Sequence, residues 1–186
     1  MELSPKMYNL LVRPGHLADR IINNIIKKKF PIENKFVLDF GCGIGSSCSM
    51  FQPDKYIGVD CDIKRIVYAK AQHPEYNFYF LNTDILPVDE NSVDYVLALS
   101  VIHHIDENQL HIYLDEFKRI LKPDGMVIAL EPCFLDRKCF SNLFMRVMDR
   151  GKFIHKEHEY RKLFEDHNYI VEIHDRYKQL VLYNKL

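Results

Sequence analysis

Val37-Leu38-Asp39-Phe40-Gly41-Cys42-Gly43-Ile44-Gly45 is an apolar run that meets an acidic residue and then carries glycine at three alternate positions. Only glycine lets a backbone turn this sharply and leaves a ligand room to touch it. The stretch reads as a strand ending in a ligand-contacting loop. In the dinucleotide fingerprint G-x-G-x-x-G the third glycine packs the helix that receives a pyrophosphate, and here Ser46 stands at that position. The spacing points to a nucleoside cofactor lacking a pyrophosphate and disfavours a nicotinamide dehydrogenase.

Upstream, Leu17, Ala18, Ile21, Ile22, Ile25 and Ile26 recur at helical spacing and run into Lys27-Lys28-Lys29. Cations are favoured at a helix C-terminus, so the lysine run reads as a cap and not as a nucleic-acid contact. Pro31 ends this helix, and residues 1–30 are expected to form an N-terminal helical cover. Downstream, Lys35–Phe40 is the first strand and a short helix is expected from Ser46. Lys55–Asp60 is the second strand. Asp62 then caps a helix that places Ile63, Ile66, Val67 and Ala71 on one face and stops at Pro74. Strands follow at Asn77–Leu81 and Val93–Leu99, then a helix over Leu110–Leu121, a turn at Lys122-Pro123-Asp124-Gly125 and a fifth strand at Met126–Leu130. Strands that alternate with helices require a mostly parallel sheet covered on both faces, an α/β fold of the Rossmann-like kind. In the last third, Asp136–Arg150 and Glu157–His167 read as helices separated by Gly151. Tyr169–Tyr177 and Leu180–Asn184 read as two strands joined by a polar turn.

The 186 residues suit one domain spanning 1–186, and 47% hydrophobic with 27% charged residues is a globular balance. Lys plus Arg is 25 and Asp plus Glu is 26, so the chain lacks the overall basic footprint of a nucleic-acid binder. The apolar runs are too short for a membrane span, and Met1-Glu2-Leu3-Ser4-Pro5 opens without a basic and then apolar leader, so a cytoplasmic location is expected. Cys42, Cys48, Cys61, Cys133 and Cys139 are odd in number and form no C-x-x-C pair. They read as reduced thiols, with neither a disulfide framework nor a metal site.

A parallel sheet presents its ligand at the carboxyl ends of its strands, and the unusual polar residues fall there. Asp39 and the glycines follow strand one, Asp60 ends strand two, Asp84 follows strand three, Ser100 to His104 follow strand four, and Glu131 ends strand five. Asp60 is spaced to accept from ribose hydroxyls; the plainer role, capping the next helix, suits Asp62 better. Asp84 could accept from an exocyclic amine or be a simple loop acid.

Six pieces in this order resemble the class I S-adenosylmethionine-dependent methyltransferases, from about Phe36 to Pro132. They are Val37-Leu38-Asp39-Phe40-Gly41-Cys42-Gly43-Ile44-Gly45, Gly58-Val59-Asp60, Asp84-Ile85-Leu86-Pro87, Asn91-Ser92-Val93-Asp94-Tyr95-Val96, Ser100-Val101-Ile102-His103-His104 and Leu121-Lys122-Pro123-Asp124-Gly125. The resemblance implies S-adenosylmethionine as cofactor. Asp39, Gly41, Cys42, Gly43 and Gly45 would lie against its methionine part and Asp60 would hold the ribose. Cys61 would flank the adenine, Asp84 and the Ile85 backbone would read its edge, and the Leu99 and Ser100 backbone would face the amino end. It also implies a seven-stranded sheet with an antiparallel C-terminal strand and helices on both faces.

The reaction expected is methyl transfer to O or N of a small-molecule acceptor by in-line displacement. The competing reading is a non-catalytic partner subunit with the same fold. His104 and His103 are candidate bases, since imidazole titrates near neutral pH, although either could pack structurally. Glu131 could reach the acceptor or cap the segment after it. Tyr8, Arg13 and His16 could form a lid over the site or belong to a plain amphipathic cover. Residues 132–168 read as a substrate-side insert. Within Asp136–Lys162 eight basic residues face four acidic ones, which could favour an anionic acceptor or form a solvated helix face. The strand-four loop lacks the Asn/Asp-Pro-Pro-aromatic run that holds a flipped base, so a nucleic-acid base is not the expected acceptor.

Overall fold

Strand β1 (Val37–Phe40) is buried at all four positions, as a strand covered on both faces must be. It pairs in parallel with β2 (Tyr56–Asp60) on one side and β4 (Val93–Leu99) on the other. With β3 (Asn77–Phe80) and β5 (Leu121–Leu130) the order is β3-β2-β1-β4-β5, all parallel. The strand order reverses between β1 and β4, which opens a crevice at their carboxyl ends. The computed structural model describes residues 15–136, 140–148, 152–179 and 183–185.

The two-residue side-chain period of β1 divides the core. Val37 faces a cluster built with Ile22 and Ile26 of α1 (Gly15–Lys29) and Ile66 and Ala69 of α2 (Ile63–Gln72). Leu38 and Phe40 face the other side, against Leu110, Leu114 and Phe117 of α3 (Glu107–Ile120). Helices α4 (Phe140–Met148) and α5 (Glu157–Glu165) follow β5, and Tyr160 and Leu163 of α5 join this second cluster. Asp62 caps α2 as its sequence position requires, accepting from Lys64 N at 2.8 Å. Helix α3 starts at Glu107, ahead of the expected Leu110, because Asp106 accepts from Gln109 N at 3.1 Å and closes a turn before the apolar stripe begins. Val93 faces Leu121 and Tyr95 faces Met126, so Lys122–Gly125 bulges from β5 where the turn was expected.

Three expectations are corrected. No α-helix follows the glycine loop among the described residues; single 3-10 turns form at Cys48–Met50 and Pro53–Lys55. The loop uses the first part of the 41–55 crossover and Pro53 interrupts the rest, so a longer helix has no length to grow. Ile22 and Ile26 of α1 cover that part of the sheet instead. The main sheet has five strands among the described residues, and no antiparallel strand is shown within it. The C-terminal strands β6 (Tyr177–Gln179) and β7 (Tyr183–Lys185) pair with each other antiparallel in a separate two-stranded sheet, which matches the hairpin reading. An isolated antiparallel bridge, Pro132 to Lys185, connects β7 to the chain after β5. Residues 169–176, expected as a strand, join no ladder. Tyr169 Oη donates to the Leu114 carbonyl at 2.8 Å and Arg161 Nη1 to the Val171 carbonyl at 3.0 Å, so a backbone carbonyl of α3 and a side chain of α5 hold this segment. Residues 180–182 of the expected last strand lie outside the described residues.

Candidate active site

Gly41, Gly43 and Gly45 all take left-handed backbone angles, with φ of 74, 57 and 82°. The loop is held to β2: Gly41 N and Cys42 N donate to the Val59 carbonyl at 2.8 and 3.0 Å, and Gly43 N donates to Asp60 Oδ2 at 2.8 Å. A Cβ on Gly41 would lie 2.4 Å from Val101 Cγ2, so this glycine lets the loop pack against the segment after β4. A Cβ on Gly43 would meet nothing within 4 Å. One glycine therefore serves packing and the next leaves backbone bare to a ligand.

Asp60 Oδ1 also accepts from Asp62 N at 2.8 Å. A carboxylate offers about four acceptor positions. Asp60 can thus anchor the loop and still take hydroxyl donors from a bound nucleoside. Asp39 is buried and Oδ2 accepts from Tyr56 Oη at 2.6 Å. Burial, reinforced by the Asp39 charge, pushes the Tyr56 phenol well above its ordinary pKa, so it stays a donor. Burial likewise pushes the Cys42 thiol well up, with Asp39 and Asp60 adding to the effect, and moves Cys48 to about 12 and Cys133 to about 11. These cysteines are inert thiols at neutral pH. Cys139 lies outside the described residues.

At the β3 end Asp84 is exposed and Oδ1 accepts from Gln109 Nε2 at 2.9 Å. Thr83 Oγ1 donates to the Ile85 carbonyl at 3.1 Å, and the Ile85 side chain is 68% exposed. Burial, then the charges of Asp84 and Cys61, raise the pKa of Tyr113. Cys61 itself is exposed, and its thiol is raised by burial and by Asp60.

Ser100, just past β4, has φ of 59°. The other left-handed non-glycine residues among those described are Asn34, Asn91 and Asn168, and asparagine tolerates that region whereas serine does so rarely. Strain of this kind marks functional turns. Ser100 N donates to the Leu130 carbonyl at 2.8 Å, and Lys185 Nζ of β7 reaches Ser100 Oγ at 2.6 Å. Glu131 is buried beneath the same loop. Its Oε1 accepts from Val101 N and Ile102 N at 2.9 Å, and its Oε2 lies 2.6 Å from His103 Nδ1 and 3.4 Å from His103 N. Four donors occupy its acceptor positions, so Glu131 shapes the loop before it and does not cap the segment after it, the alternative its sequence position offers to an acceptor contact. His103 is buried on this carboxylate, while His104 is exposed with its ring 4.1 Å from that of His103. Phe153 N donates to the His103 carbonyl at 3.0 Å, which ties the insert to this loop.

Asp39 lies in β1 and the glycine loop follows it, Asp60 ends β2 with Cys61 next, Asp84 follows β3 and Ser100 to His104 follow β4, all toward the carboxyl side of adjacent parallel strands. His16 lies in α1; Tyr8 and Arg13 are outside the described residues. Lys185 and Gln109 were missed: neither belongs to a motif, and only the register of β7 and the start of α3 bring them here. The basic residues of the insert are partly paired at the surface, Lys156 with Asp136 at 3.5 Å and Arg161 with Glu165 at 3.3 Å. Among the described residues no group of three or more His, Cys, Asp or Glu could hold a metal ion. None of the described helices is long and apolar enough to cross a membrane.

The parallel sheet, the switch point and the bare glycine loop beside a buried acid define an α/β protein built to hold a nucleoside ligand. Residues 38–129 match the family model described as a methyltransferase domain. A probable S-adenosylmethionine-dependent methyltransferase of Mycolicibacterium smegmatis is 30% identical over 99 residues, covering 52% of this chain and 37% of that protein. A fatty-acid O-methyltransferase of the same organism is 30% identical over 100 residues, covering 50% of this chain and 36% of that protein. The chain thus spans less than two fifths of the length of these two curated relatives. A solved S-adenosylmethionine-dependent methyltransferase from Aquifex aeolicus superposes with a TM-score of 0.70 at 19% identity over 99% of this chain and 96% of that one, a likeness of fold. Residues 38–129 thus carry a methyltransferase domain, and the chain is similar to S-adenosylmethionine-dependent methyltransferases.

Proposed function

We propose that this chain binds S-adenosylmethionine across the carboxyl ends of β1 to β4 and transfers its methyl group to O or N of a small-molecule acceptor. One observation carries the reading: the backbone of Gly43 is open to a ligand and is held by Asp60, whose remaining lone pairs suit ribose hydroxyls. When bound, the cofactor supplies a sulfonium methyl poised for in-line displacement. The protein's task is to hold donor and acceptor together and to keep water out. Asp39, Gly41, Cys42, Gly43 and Gly45 border the methionine part and the Leu99 and Ser100 backbone its amino end. Cys61 flanks the adenine, and Asp84 with the Ile85 backbone takes its edge.

On the acceptor side, His104 is the exposed imidazole and is assigned to take the proton of an acceptor that arrives protonated. His103 and Glu131 act as a positioning pair that fixes the 101–103 turn. Tyr8, Arg13 and His16 are assigned to a lid. The fatty-acid O-methyltransferase among the relatives supports oxygen as the acceptor atom. We further assign residues 1–186 to one methyltransferase domain at work in the cytoplasm, and β7 to the edge beyond β5, supported by the Pro132 to Lys185 bridge. Incubation with methyl-labelled S-adenosylmethionine and a metabolite extract, followed by mass analysis, tests this. Labelled small molecule and S-adenosylhomocysteine are expected together. A labelled macromolecule in their place would contradict the acceptor class, and no transfer at all would contradict catalysis.

A further inference from the structure

Asn23, on the inner side of α1, was not among the residues singled out in the sequence. Its Nδ2 donates to the Ser46 carbonyl at 3.3 Å. A carbonyl can only accept, so this contact fixes which end of the amide is nitrogen. Oδ1 is then buried, and among the described residues it is a side-chain acceptor with no hydrogen-bond partner. Buried polar atoms without partners are rare in folded proteins because each costs free energy, and one that persists needs an explanation.

Asn23 lines a small cavity next to the glycine loop, together with Asp39, Gly41, Ser46, Ser47 and Leu99. Among the described residues no lysine or arginine borders it. Its polar lining includes two residues with side-chain oxygen acceptors, Asn23 and the buried Asp39, and two serines, Ser46 and Ser47. A pocket with this balance takes a group rich in donors and positive in charge, with an anionic group beside it. Within S-adenosylmethionine, that description fits the α-amino acid end and neither the adenine nor the ribose.

We infer that Asn23 is a cofactor-binding residue, its Oδ1 accepting a hydrogen bond from the α-ammonium of the aminobutyrate chain. This rests on the cofactor assignment made under the proposed function. The N-terminal helix then contributes directly to the ligand site as well as covering the sheet. It also explains why an acceptor is kept unsatisfied in a helix face otherwise occupied by Ile22 and Ile26.

The test compares S-adenosylhomocysteine, which carries the aminobutyrate chain, with 5′-methylthioadenosine, which lacks it. Calorimetry on the whole chain would measure both against wild type, Asn23→Ala and Asn23→Leu. A hydrogen bond to a charged group corresponds to roughly a tenfold to hundredfold change in affinity. The variants should lose that much for S-adenosylhomocysteine and change less than about threefold for methylthioadenosine. Thermal unfolding without ligand should show Asn23→Leu still folded and close to wild type in stability, because the lost bond to the Ser46 carbonyl is offset by removal of an unpaired acceptor. Equal losses for both ligands in both variants, or no loss for either, would overturn the inference. Wild-type protein that binds neither ligand would instead overturn the cofactor assignment itself.

Discussion

Replacing Gly43 by alanine separates folding from binding at the glycine loop. The residue sits at φ 57°, where an L side chain is strained by roughly 1–2 kcal/mol. The new methyl group meets nothing within 4 Å, so no packing cost is added. For a domain of this size 1 kcal/mol corresponds to about 2–4 °C, so Tm should fall by roughly 2–8 °C. Gly41→Ala is the control for a packed site. It carries similar strain at φ 74° and also forces a Cβ to 2.4 Å from Val101 Cγ2, and overpacking adds about 1–3 kcal/mol. Differential scanning calorimetry should therefore rank Gly41→Ala well below Gly43→Ala. Titration with S-adenosylhomocysteine should show Gly43→Ala, although folded, at least about tenfold weaker than wild type, since the methyl occupies backbone the ligand must approach. A Gly43→Ala protein that binds like wild type would refute the assignment of this face to the ligand.

Other consequences are equally direct. Burial pushes Asp94 upward, but Lys122, Phe36 N and Lys35 outweigh it and hold its carboxyl at about 2, against an ordinary value of 3.8. The stabilisation this brings is present above pH 4 and is lost as pH falls through 2. Asp94→Asn should therefore cost roughly 2 kcal/mol in urea titrations at pH 7, with the gap to wild type closing near pH 2; a gap independent of pH would refute it. Glu131→Ala strips the 101–103 turn of its shared acceptor and should lower unfolding free energy by roughly 3–5 kcal/mol, measured the same way. A loss below about 1 kcal/mol would contradict the positioning role. His104→Ala should reduce methyl transfer by about 10²–10⁴-fold while leaving S-adenosylhomocysteine affinity unchanged, whereas His103→Ala should mainly lower stability. A reduction under tenfold at His104 would remove it as the base.

Much of the structure around the glycine loop was legible because its signals are local. The glycine spacing, the acid at the end of β2 and the Asp62 cap are each set within a few residues, and each appears where the chain placed it. Continuous apolar runs marked β1 and β4 as central strands, and those strands flank the switch point. The loop after β4 was less legible because its supports come from distant segments. Glu131 reads as a free acid at the end of a strand until β5 pairs with β4 and brings it under Val101 N and Ile102 N. Lys185 reads as a terminal lysine until β7 folds back on Ser100. The stretch 169–176 carries β-prone residues, but Tyr169 and Val171 bond to Leu114 and Arg161 and leave no ladder to join. A helix from Ser46 was a fair expectation by pattern, and only the short crossover and Pro53 prevent it.

The central claim is that the Gly41 to Gly45 loop and Asp60 together form the nucleoside site, and calorimetric titration of S-adenosylmethionine into wild type and Asp60→Ala tests it most directly. The predicted result is one-to-one binding by wild type and at least a hundredfold weaker binding by the variant, which loses the ribose acceptor and the Gly43 N anchor together. Wild-type affinity in Asp60→Ala, or no binding by wild type, would contradict the claim.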